Sequence, residues 1–278
     1  HRLEPLTAHH PRNNSMNARQ RLIALAALLT ATHSAFAQTT PSNRLRIGVE
    51  GAYPPFSEVG PDGQLKGFDI DIARALCAQM KAECTLVQQD FDGMIPALNA
   101  RKFDAIIASL SITEERKKAV AFSDKYYKTP NRMLVRTAAS LVVSPAGLKG
   151  RKIGVQRATI NDRFATDTFK ESEIVRYAKQ DEIYLDLAAG RLDATLVDAV
   201  AADTGFLKTP QGKGFGFAGP AYVDPAYFGS GVGVAVRKTD AALQQRFNEA
   251  IAAIRANGVY TQLQSKYFDF DIYGGAAR

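Results

Sequence analysis

Short β-rich runs alternate with stretches of helical length and periodicity, and this alternation occurs twice along the chain. The first set of predicted strands and helices lies at residues 45–49, 68–80, 84–88, 94–100, 105–108 and 114–120. The second set lies at residues 152–155, 161–169, 174–177, 182–189 and 194–197. Strands separated by helices need crossover connections, which favour largely parallel sheets. The sequence therefore predicts an α/β protein made of two units.

The two sets share one local arrangement. Gly190-Arg-Leu-Asp-Ala-Thr-Leu-Val197 follows the same order as Ala100-Arg-Lys-Phe-Asp-Ala-Ile-Ile107: a helix end, a basic residue, an aspartate, a small residue and an apolar strand. The match is too weak to be called a sequence repeat, but it indicates two units of related design.

Two turn-rich segments predict where the chain passes between the units. One is residues 127–132, and the other is residues 220–230, which lead into a predicted strand. The part that follows contains two predicted helices but is short for an independent domain, so we expect it to pack on the first unit. These boundaries predict a ligand cleft between lobe 1 at residues 38–130 and 229–278 and lobe 2 at residues 131–228.

The N-terminal section is typical of a secretory signal peptide. Met16-Asn-Ala-Arg-Gln-Arg21 is basic, residues 22–29 are mostly apolar, and Ala35-Phe-Ala37 has the small-x-small form of a cleavage site. The apolar stretch is too short to cross a membrane. We therefore expect residues 1–37 to comprise an upstream extension and a signal peptide that is cleaved near Ala37 and Gln38, which implies a protein secreted into an oxidising compartment.

Composition excludes several classes of function. Residues 1–37 contain four arginines, one glutamate and all four histidines, so the formal net charge of +7 falls to +4 without them. This modest surplus includes no basic cluster with interleaved aromatic residues, and nucleic-acid binding is not expected. A mature chain without histidine lacks the residue used by Ser-His and Cys-His pairs and by most zinc sites. Catalysis by carboxylates or lysines stays open, and no metal is expected.

Cys77 and Cys84 are the only cysteines in the chain. In an oxidising compartment, their separation allows a disulfide that joins the end of a helix to the strand after it, and two free thiols are the alternative. Because the closed loop is short, such a disulfide contributes only about 2 kcal/mol to stability. The spacing is not Cys-x-x-Cys, so we expect a structural role.

The segment Ser109-Leu-Ser-Ile-Thr-Glu-Glu-Arg116 carries the strongest indication of function. It follows an apolar strand, and Ser111 and Glu114 have the spacing of a capping box, which predicts a helix start near Ile112. A helix start offers free N–H groups and a positive dipole end, and Arg116 adds a planar, two-pronged donor. Together these features favour a site for a small carboxylate. A capped surface helix with a solvated arginine is the alternative.

Six motifs occur along the chain. They are Arg46-Ile-Gly48 with Tyr53-Pro-Pro-Phe56, Gly67-Phe-Asp-Ile-Asp-Ile-Ala73, Phe91-Asp-Gly-Met-Ile-Pro-Ala-Leu98, the segment from Ser109 to Arg116, Asp186-Leu-Ala-Ala-Gly-Arg-Leu-Asp193, and Lys266-Tyr-Phe-Asp-Phe270. In this order they resemble the periplasmic solute-binding proteins for polar amino acids, above all the lysine/arginine/ornithine-binding and histidine-binding proteins. The resemblance, which includes the cysteine pair, implies the two-lobe periplasmic-binding-protein fold of type II. Its two crossover hinge segments place the ligand cleft between the lobes.

The resemblance also implies roles for single residues. Arg116, Ser111 and, across the cleft, Thr159 correspond to the residues that hold the α-carboxylate of the ligand. Asp198 and Ser109 correspond to those that hold its α-amino group.

Tyr53 and Phe91 correspond to the aromatic residues that cover the ligand's side chain. Residue types alone leave other interpretations open. Tyr53 beside two prolines suits a turn, Phe91 suits a core, and Asp198 suits the cap of the helix that follows it.

Glu50 bears most on which ligand is bound. In the lysine/arginine/ornithine-type proteins an acidic residue near this position faces the distal cation, and a carboxylate in a partly dry cleft needs a cationic partner. Ala108 replaces a serine of the pattern, and Ile160 and Asn161 replace a Thr-Gln pair. Gln156 stands where an apolar residue is usual and suits a guanidinium with its five donors. The expected ranking of ligands is arginine, then ornithine and lysine, then histidine. An opine such as octopine or nopaline is the alternative ligand, since Ile160 could make room for its second acid group.

The implied function is the substrate-binding component of an ABC transporter, a monomer without a cofactor that presents its closed form to permease membrane subunits. One rival is an enzyme on the same scaffold, because cyclohexadienyl dehydratases look similar. Asp162 and Glu50 are the only acids considered for that chemistry, and two carboxylates flanking the cleft would repel a diacid such as prephenate. A sensory input domain is a third possibility.

Overall fold

The computed structural model describes residues 43–274, so the predicted signal peptide and residues 38–42 of predicted lobe 1 lie outside the described residues. Two five-stranded sheets and a small three-stranded sheet organise the described part. The strands are β1 (Arg44–Val49), β2 (Ala52–Tyr53), β3 (Ser57–Val59), β4 (Leu65–Lys66), β5 (Glu83–Gln88), β6 (Ala105–Ile106), β7 (Ala121–Tyr127), β8 (Asn131–Arg136), β9 (Lys152–Gln156), β10 (Glu173–Tyr177), β11 (Ala194–Asp198), β12 (Phe215–Tyr222) and β13 (Val232–Val236).

Helices cover these sheets and connect their strands. The α-helices are α1 (Phe68–Gln79), α2 (Met94–Asn99), α3 (Glu114–Lys117), α4 (Ile160–Thr168), α5 (Gln180–Ala188), α6 (Ala199–Ala202), α7 (Pro225–Phe228), α8 (Ala241–Ala256) and α9 (Val259–Ser265). Short 3-10 turns precede α2 and follow β8, and a π-helical turn at Asp203–Leu207 continues α6.

The two large sheets follow one plan. The first has the strand order β5-β1-β6-β13-β7, in which β1 is parallel to β5 and β6, whereas β13 is antiparallel to β6 and β7. The second has the order β10-β9-β11-β8-β12, in which β9 is parallel to β10 and β11, whereas β8 is antiparallel to β11 and β12. The two-unit α/β prediction is confirmed, and in each sheet four strands run in the same direction while one, β13 in the first sheet and β8 in the second, runs opposite to them.

The sequence pattern missed the short strands β2, β3 and β4 of the small sheet and, in the two large sheets, β7, β8 and β12. β7 contains Ser, Asp and Lys, and β8 begins with Asn and Arg, so neither shows a clear alternation of apolar and polar residues. β12 contains two glycines and a proline, which favour turns in an isolated sequence. Tertiary pairing overrides these local preferences.

The matching segments of the two sets occupy matching places in the two sheets. Asp104 precedes β6 and accepts a hydrogen bond of 3.0 Å from the backbone N–H of Arg46. Asp193 precedes β11 and accepts one of 2.8 Å from the backbone N–H of Lys152. Each aspartate also forms an ion pair, with Arg46 and with Arg151 respectively. The two similar sequence segments therefore form the same structure in both sheets: an aspartate before one strand is hydrogen-bonded to the start of the parallel strand beside it.

The chain crosses between the sheets twice. Residues 128–130 link β7 to β8, and the chain returns after α7 through Gly229 into β13. Gly229 has φ of +72°, and a Cβ atom there would lie 2.1 Å from the carbonyl oxygen of Ile112, so only glycine fits. β13 then inserts between β6 and β7, which places the C-terminal part on the first sheet as predicted. The lobe boundaries at 130/131 and 228/229 remain a proposal, and no strand of either large sheet spans them.

Aromatic side chains pack against one another next to the first crossing and hold together elements around the first sheet. The ring of Phe56 stacks on that of Tyr127 at a centroid distance of 4.7 Å, and the rings of Phe68 and Phe268 meet edge to face at 5.2 Å. All four side chains are buried, so α1, the end of β7 and the C-terminal segment share one apolar cluster. This packing holds the end of β7, where the first crossing begins.

Residues 43–274 contain no helix that is both long enough and apolar enough to cross a bilayer. In the same residues, no group of three or more His, Cys, Asp or Glu side chains is placed to hold a metal ion.

Cys77 in α1 and Cys84 in β5 form a disulfide, with Cα atoms 6.1 Å apart. The predicted link between a helix end and the following strand is confirmed, and the alternative of two free thiols is not.

Replacing both cysteines with alanine is expected to lower the free energy of unfolding by about 2 kcal/mol, because the link restrains only a short loop of the unfolded chain. Urea titration of the double variant and of the wild type measures the difference. The wild type under reducing conditions is the control and should match the variant. Equal stability of oxidised wild type and double variant would contradict this role.

Candidate functional site

A cavity between the two large sheets collects residues from both predicted lobes. It encloses about 740 Å³, counting its opening to solvent. Eleven of the twelve residues that the sequence predicted to bind ligand line it: Glu50, Tyr53, Phe91, Ser109, Ser111, Arg116, Gln156, Thr159, Ile160, Asn161 and Asp198. The fold thus brings together residues that are distant in sequence, while the role of each stays a prediction.

Ala108 is the exception. It does not line the cavity; it is buried and packs in an apolar cluster with Phe103, Leu110 and Ile112. Ser109, which follows it in the left-handed conformation with φ of +54°, lines the cavity. Ala108 thus lies behind the cavity wall, and its assignment as a ligand-binding residue stays a prediction.

The segment from Ser109 to Arg116 differs locally from the prediction. Thr113, not Ser111, caps the helix, since Thr113 Oγ1 accepts a hydrogen bond of 3.2 Å from the backbone N–H of Arg116. Ser111 instead pairs with Val232 in an isolated antiparallel bridge. Ser111 therefore belongs to the cavity wall, and the helix begins at Glu114.

Arg116 crosses from lobe 1 toward lobe 2. Its Nη1 donates to the carbonyl oxygen of Ser111 at 3.1 Å, and its Nη2 donates to that of Ala158 at 3.1 Å. The guanidinium carbon lies 5.5 Å from the centre of the Phe91 ring. Burial lowers the pKa of Arg116 to about 10, so the group stays charged at neutral pH. Two neutral carbonyls and one ring are its fixed contacts.

The start of α4 faces Arg116 from lobe 2. Thr159 caps this helix: its Oγ1 accepts a hydrogen bond of 3.1 Å from the backbone N–H of Asp162 and donates to the carbonyl oxygen of Gln156 at 2.7 Å. Asn161, in the first turn, is buried, and its Oδ1 has no hydrogen-bond partner. A helix start with free N–H groups next to an arginine is a suitable place for an anion.

Glu50 is buried at the end of β1, with 5% of its surface exposed. Its Oε1 accepts a hydrogen bond of 2.6 Å from Nε2 of Gln156, which also donates to the carbonyl oxygen of Ala178 at 3.1 Å. Burial raises the pKa of Glu50 to about 7, and the hydrogen bond from Gln156 opposes this rise. The Gln156 amide thus orients Glu50 across the cavity and leaves its own oxygen available as an acceptor.

Asp198 ends β11 and is also buried, with 7% of its surface exposed. Its Oδ1 caps α6 by accepting from the backbone N–H groups of Val200 at 2.8 Å and Ala201 at 3.0 Å, and its Oδ2 accepts from the hydroxyl of Thr129. Burial raises the pKa of Asp198 to about 6, against these three donors. The cap interpretation of Asp198 is correct, and the same carboxylate lines the cavity.

Tyr53 and Phe91 both face the cavity. The ring of Tyr53 stacks on that of Phe56 at a centroid distance of 5.8 Å, and Phe91 packs on the cluster that contains Ala108. Each ring is therefore held by the core on one side and open to the cavity on the other. Phe91 is therefore a core residue and also part of the cavity wall.

The charged side chains that line the cavity do not neutralise one another. Within the described residues, no basic side chain approaches Glu50 or Asp198 within 4.0 Å, and no carboxylate approaches Arg116 within that distance. Direct polar contacts between the predicted lobes around the cavity include Glu50 with Gln156, Arg116 with Ala158, Thr129 with Asp198, and an ion pair of Asp92 with Arg157 at 3.4 Å. Fixed charges of both signs thus face one space.

Comparison with known proteins identifies the family. The model of the bacterial extracellular solute-binding proteins, family 3, matches residues 45–270. The chain belongs to this family. The resemblance predicted from the six motifs is therefore confirmed, and the fold that it implied agrees with the two-sheet plan.

Two relatives illustrate the position of the chain within family 3. The L-arginine-binding protein of Pseudomonas aeruginosa is 52% identical over 255 residues, which are 91% of this chain and 97% of that protein. The lysine/arginine/ornithine-binding periplasmic protein of Escherichia coli is 43% identical over 258 residues, or 92% of this chain and 99% of that protein.

Solved structures extend the comparison. A periplasmic binding protein of Salmonella typhimurium described as highly specific for arginine has a TM-score of 0.75 at 34% identity, covering 81% of this chain and 99% of that one. An ancestral amino-acid-binding protein described as a precursor of cyclohexadienyl dehydratase has a TM-score of 0.71 at 30% identity, covering 82% and 96%. The curated relatives are named as binding proteins and not as enzymes.

Several cavity residues of this family-3 protein were not predicted from sequence. Thr129 and Asn131 come from the first crossing, and Gln180 begins α5 with a buried Nε2 that has no hydrogen-bond partner. These residues carry no local signal, since only the tertiary fold brings them to the cleft. Asp69 accepts a hydrogen bond from Ser109 behind the cavity wall. It belongs to the motif Gly67–Ala73, so in this case the sequence did contain a signal.

Changing Asp198 to alanine should lower the free energy of unfolding by about 1 kcal/mol relative to Asp198→Asn, because asparagine keeps an oxygen that caps α6 and alanine does not. The pair is matched in charge, so the comparison isolates the cap. Urea titration at pH 8 measures both variants. Equal stabilities would show that the cap of α6 does not contribute.

Proposed function

We propose that this chain is the periplasmic substrate-binding component of an ABC transporter and that it captures a basic L-amino acid, with arginine bound most tightly, then ornithine and lysine, then histidine. The observation that carries this proposal is the separated, unneutralised charge of the cleft. Among residues 43–274, Arg116 has no carboxylate within ion-pair distance and Glu50 and Asp198 have no cation there, and all three line one cavity. A ligand with one anionic and two cationic groups supplies each missing partner.

The geometry supports one orientation of the ligand. Its α-carboxylate lies between Arg116 and the start of α4 at Thr159, where cation and helix dipole add. Its α-ammonium lies against Asp198 and Ser109.

The side chain of the ligand then passes between Tyr53 and Phe91 toward Glu50. The oxygens of Glu50 and the amide oxygen of Gln156 offer several acceptors to a planar guanidinium, which has five N–H donors where a lysine ammonium has three. This difference underlies the proposed preference for arginine. The high identity to an L-arginine-binding protein supports the same choice.

Capture proceeds by closure of the cleft and without chemistry. Lobe 1 supplies Arg116, Ser109 and the two aromatic rings, and lobe 2 supplies Thr159 and Asp198, so neither lobe alone completes the shell. Ligand stabilises the arrangement in which both contact it, and the permease subunits recognise that arrangement. We propose a monomer that needs no metal or organic cofactor.

The rival enzymatic function finds little support. Of the two acids considered for it, Asp162 does not line the cavity, and its Oδ1 is held by Nε of Arg176 at 2.8 Å. Of the two, only Glu50 lines the cavity. A prephenate turnover assay on the purified protein tests this directly, and no turnover is expected.

Calorimetric titration with arginine, ornithine, lysine, histidine, glutamine and octopine should give the ranking stated above, with glutamine much weaker because it leaves Glu50 without a cation. Tighter binding of octopine than of arginine would show that the preferred ligand is an opine and not an amino acid. Binding of glutamine as tightly as arginine would contradict the role of Glu50.

Replacing Arg116 with alanine should weaken arginine binding at least about 30-fold, because the ligand carboxylate then lies buried without its charged partner. Arg116→Lys should recover only part of the loss, since lysine lacks the two-pronged geometry. Calorimetry measures all three proteins, and circular dichroism checks their folding. Unchanged affinity in the alanine variant would rule out this orientation.

Arginine affinity should fall as the pH drops from 8 to 5. Burial places the pKa of Glu50 near 7, so below that pH a proton competes with the ligand's cation for the carboxylate. Glu50→Gln should bind arginine more weakly at pH 8. Its affinity should also depend less steeply on pH, because up to one proton fewer is exchanged on binding. Identical pH profiles for both proteins would exclude Glu50 as the partner of the cation.

A further inference from the structure

Asp69 lies directly behind the cavity wall and has no exposed surface. Its Oδ2 accepts a hydrogen bond of 2.8 Å from the hydroxyl of Ser109, and its Oδ1 accepts one of 2.8 Å from the hydroxyl of Tyr126. Ser109 lines the cavity and Asp69 does not. No ion pair involves Asp69 within the described residues. A buried carboxylate with two hydroxyl donors and no cation is costly and calls for a function.

We propose that Asp69 is a positioning residue that sets the specificity of the cleft by fixing the hydroxyl proton of Ser109. A serine hydroxyl has one proton to donate and two lone pairs to accept with. Because the proton of Ser109 points to Asp69, its oxygen meets the cavity as an acceptor only. The ligand group at this point must therefore be a donor, such as an ammonium, and a ligand that lacks one is disfavoured.

Three further features fit this role. Ser109 has φ of +54°, a conformation that a non-glycine residue adopts only when its surroundings hold it there, and the bond to Asp69 is one such restraint. Asp69 lies in the first turn of α1, where the positive end of the helix dipole stabilises a carboxylate. Burial raises the pKa of Asp69 to about 7, while the two hydroxyl donors oppose the rise, so the ionised acceptor form prevails at pH 8.

The chain offers a matched comparison two residues away. Asp71 lies on the same helix turn and accepts a hydrogen bond of 2.9 Å from the hydroxyl of Tyr267, just as Asp69 accepts from Tyr126. Asp71 is not bonded to Ser109 and does not line the cavity. Asp71→Asn therefore makes the same chemical change on the same helix without reaching the ligand.

This inference rests on the proposed function, and its test uses two ligands at pH 8. One is arginine, and the other is 5-guanidinopentanoate, which keeps the carboxylate and the guanidinium but has hydrogen in place of the α-ammonium. In Asp69→Asn the amide NH₂ can donate to Ser109, whose own proton then turns toward the cavity. Arginine affinity should fall about tenfold, the size of one hydrogen bond to a charged group. Affinity for the analogue should stay within about twofold.

The controls separate this role from a structural one. Asp71→Asn should leave the ratio of the two affinities unchanged. In a Ser109→Ala background, Asp69→Asn should have no further effect on the ratio, because the hydroxyl through which it acts is gone. If Asp69→Asn weakens both ligands equally, or if Asp71→Asn changes the ratio as much, the inference is overturned.

Two other outcomes are also informative. Should Asp69→Asn fail to fold, Ser109→Ala alone still tests the acceptor role: it must weaken arginine and spare the analogue, and equal loss for both overturns the inference. If the wild type binds neither compound, the proposed function itself fails. If the wild type binds arginine and only the ratio test fails, the proposed function stands and the role of Asp69 does not.

Discussion

Three charged groups face the same enclosed space without neutralising one another. Burial in low dielectric disfavours a charged group unless an opposite charge or hydrogen bonds compensate it. Here hydrogen bonds from Gln156, Thr129 and backbone N–H groups compensate Glu50 and Asp198 only in part, since their pKa values remain raised. Arg116 is held by neutral carbonyls. Under the proposed function, a zwitterion with a cationic side chain offsets the remaining cost, and this electrostatic cost is what favours a basic ligand over a neutral one.

The fold produces this arrangement by using one plan twice. In each sheet the parallel strands end toward the cleft, so Glu50 follows β1 and Gln156 ends β9, and the two meet across the gap. Asp104 and Asp193 fix the opposite ends of these strand pairs in the same way. The two crossings lie beside the cavity and contribute residues to its wall, so a change in their backbone angles moves one half of the ligand shell relative to the other.

Sequence patterns were sufficient for the elements with clear periodicity, such as α1, α8 and the parallel strands, and the family resemblance suggested twelve ligand-binding positions, eleven of which line one cavity. They failed where long-range pairing decides the outcome. β7, β8 and β12 are strands only because neighbours pair with them, and Ser111 was taken for a helix cap although Thr113 caps the helix and Ser111 pairs with Val232. Ala108 packs in the core and Ser109 lines the cavity, and the left-handed backbone of Ser109 that accompanies this change has no signal in the sequence.

Proton release on ligand binding tests the coupling between buried carboxylates and a bound cation most directly. Calorimetric titration with arginine at pH 6 in two buffers of different ionisation enthalpy gives the number of protons exchanged. Burial raises the pKa values of Glu50 and Asp198, so these carboxylates must lose protons when the cationic groups of arginine bind beside them, and net release of protons is expected. Equal heats in the two buffers, or proton uptake, would contradict the claim that these groups hold the ligand's positive charges.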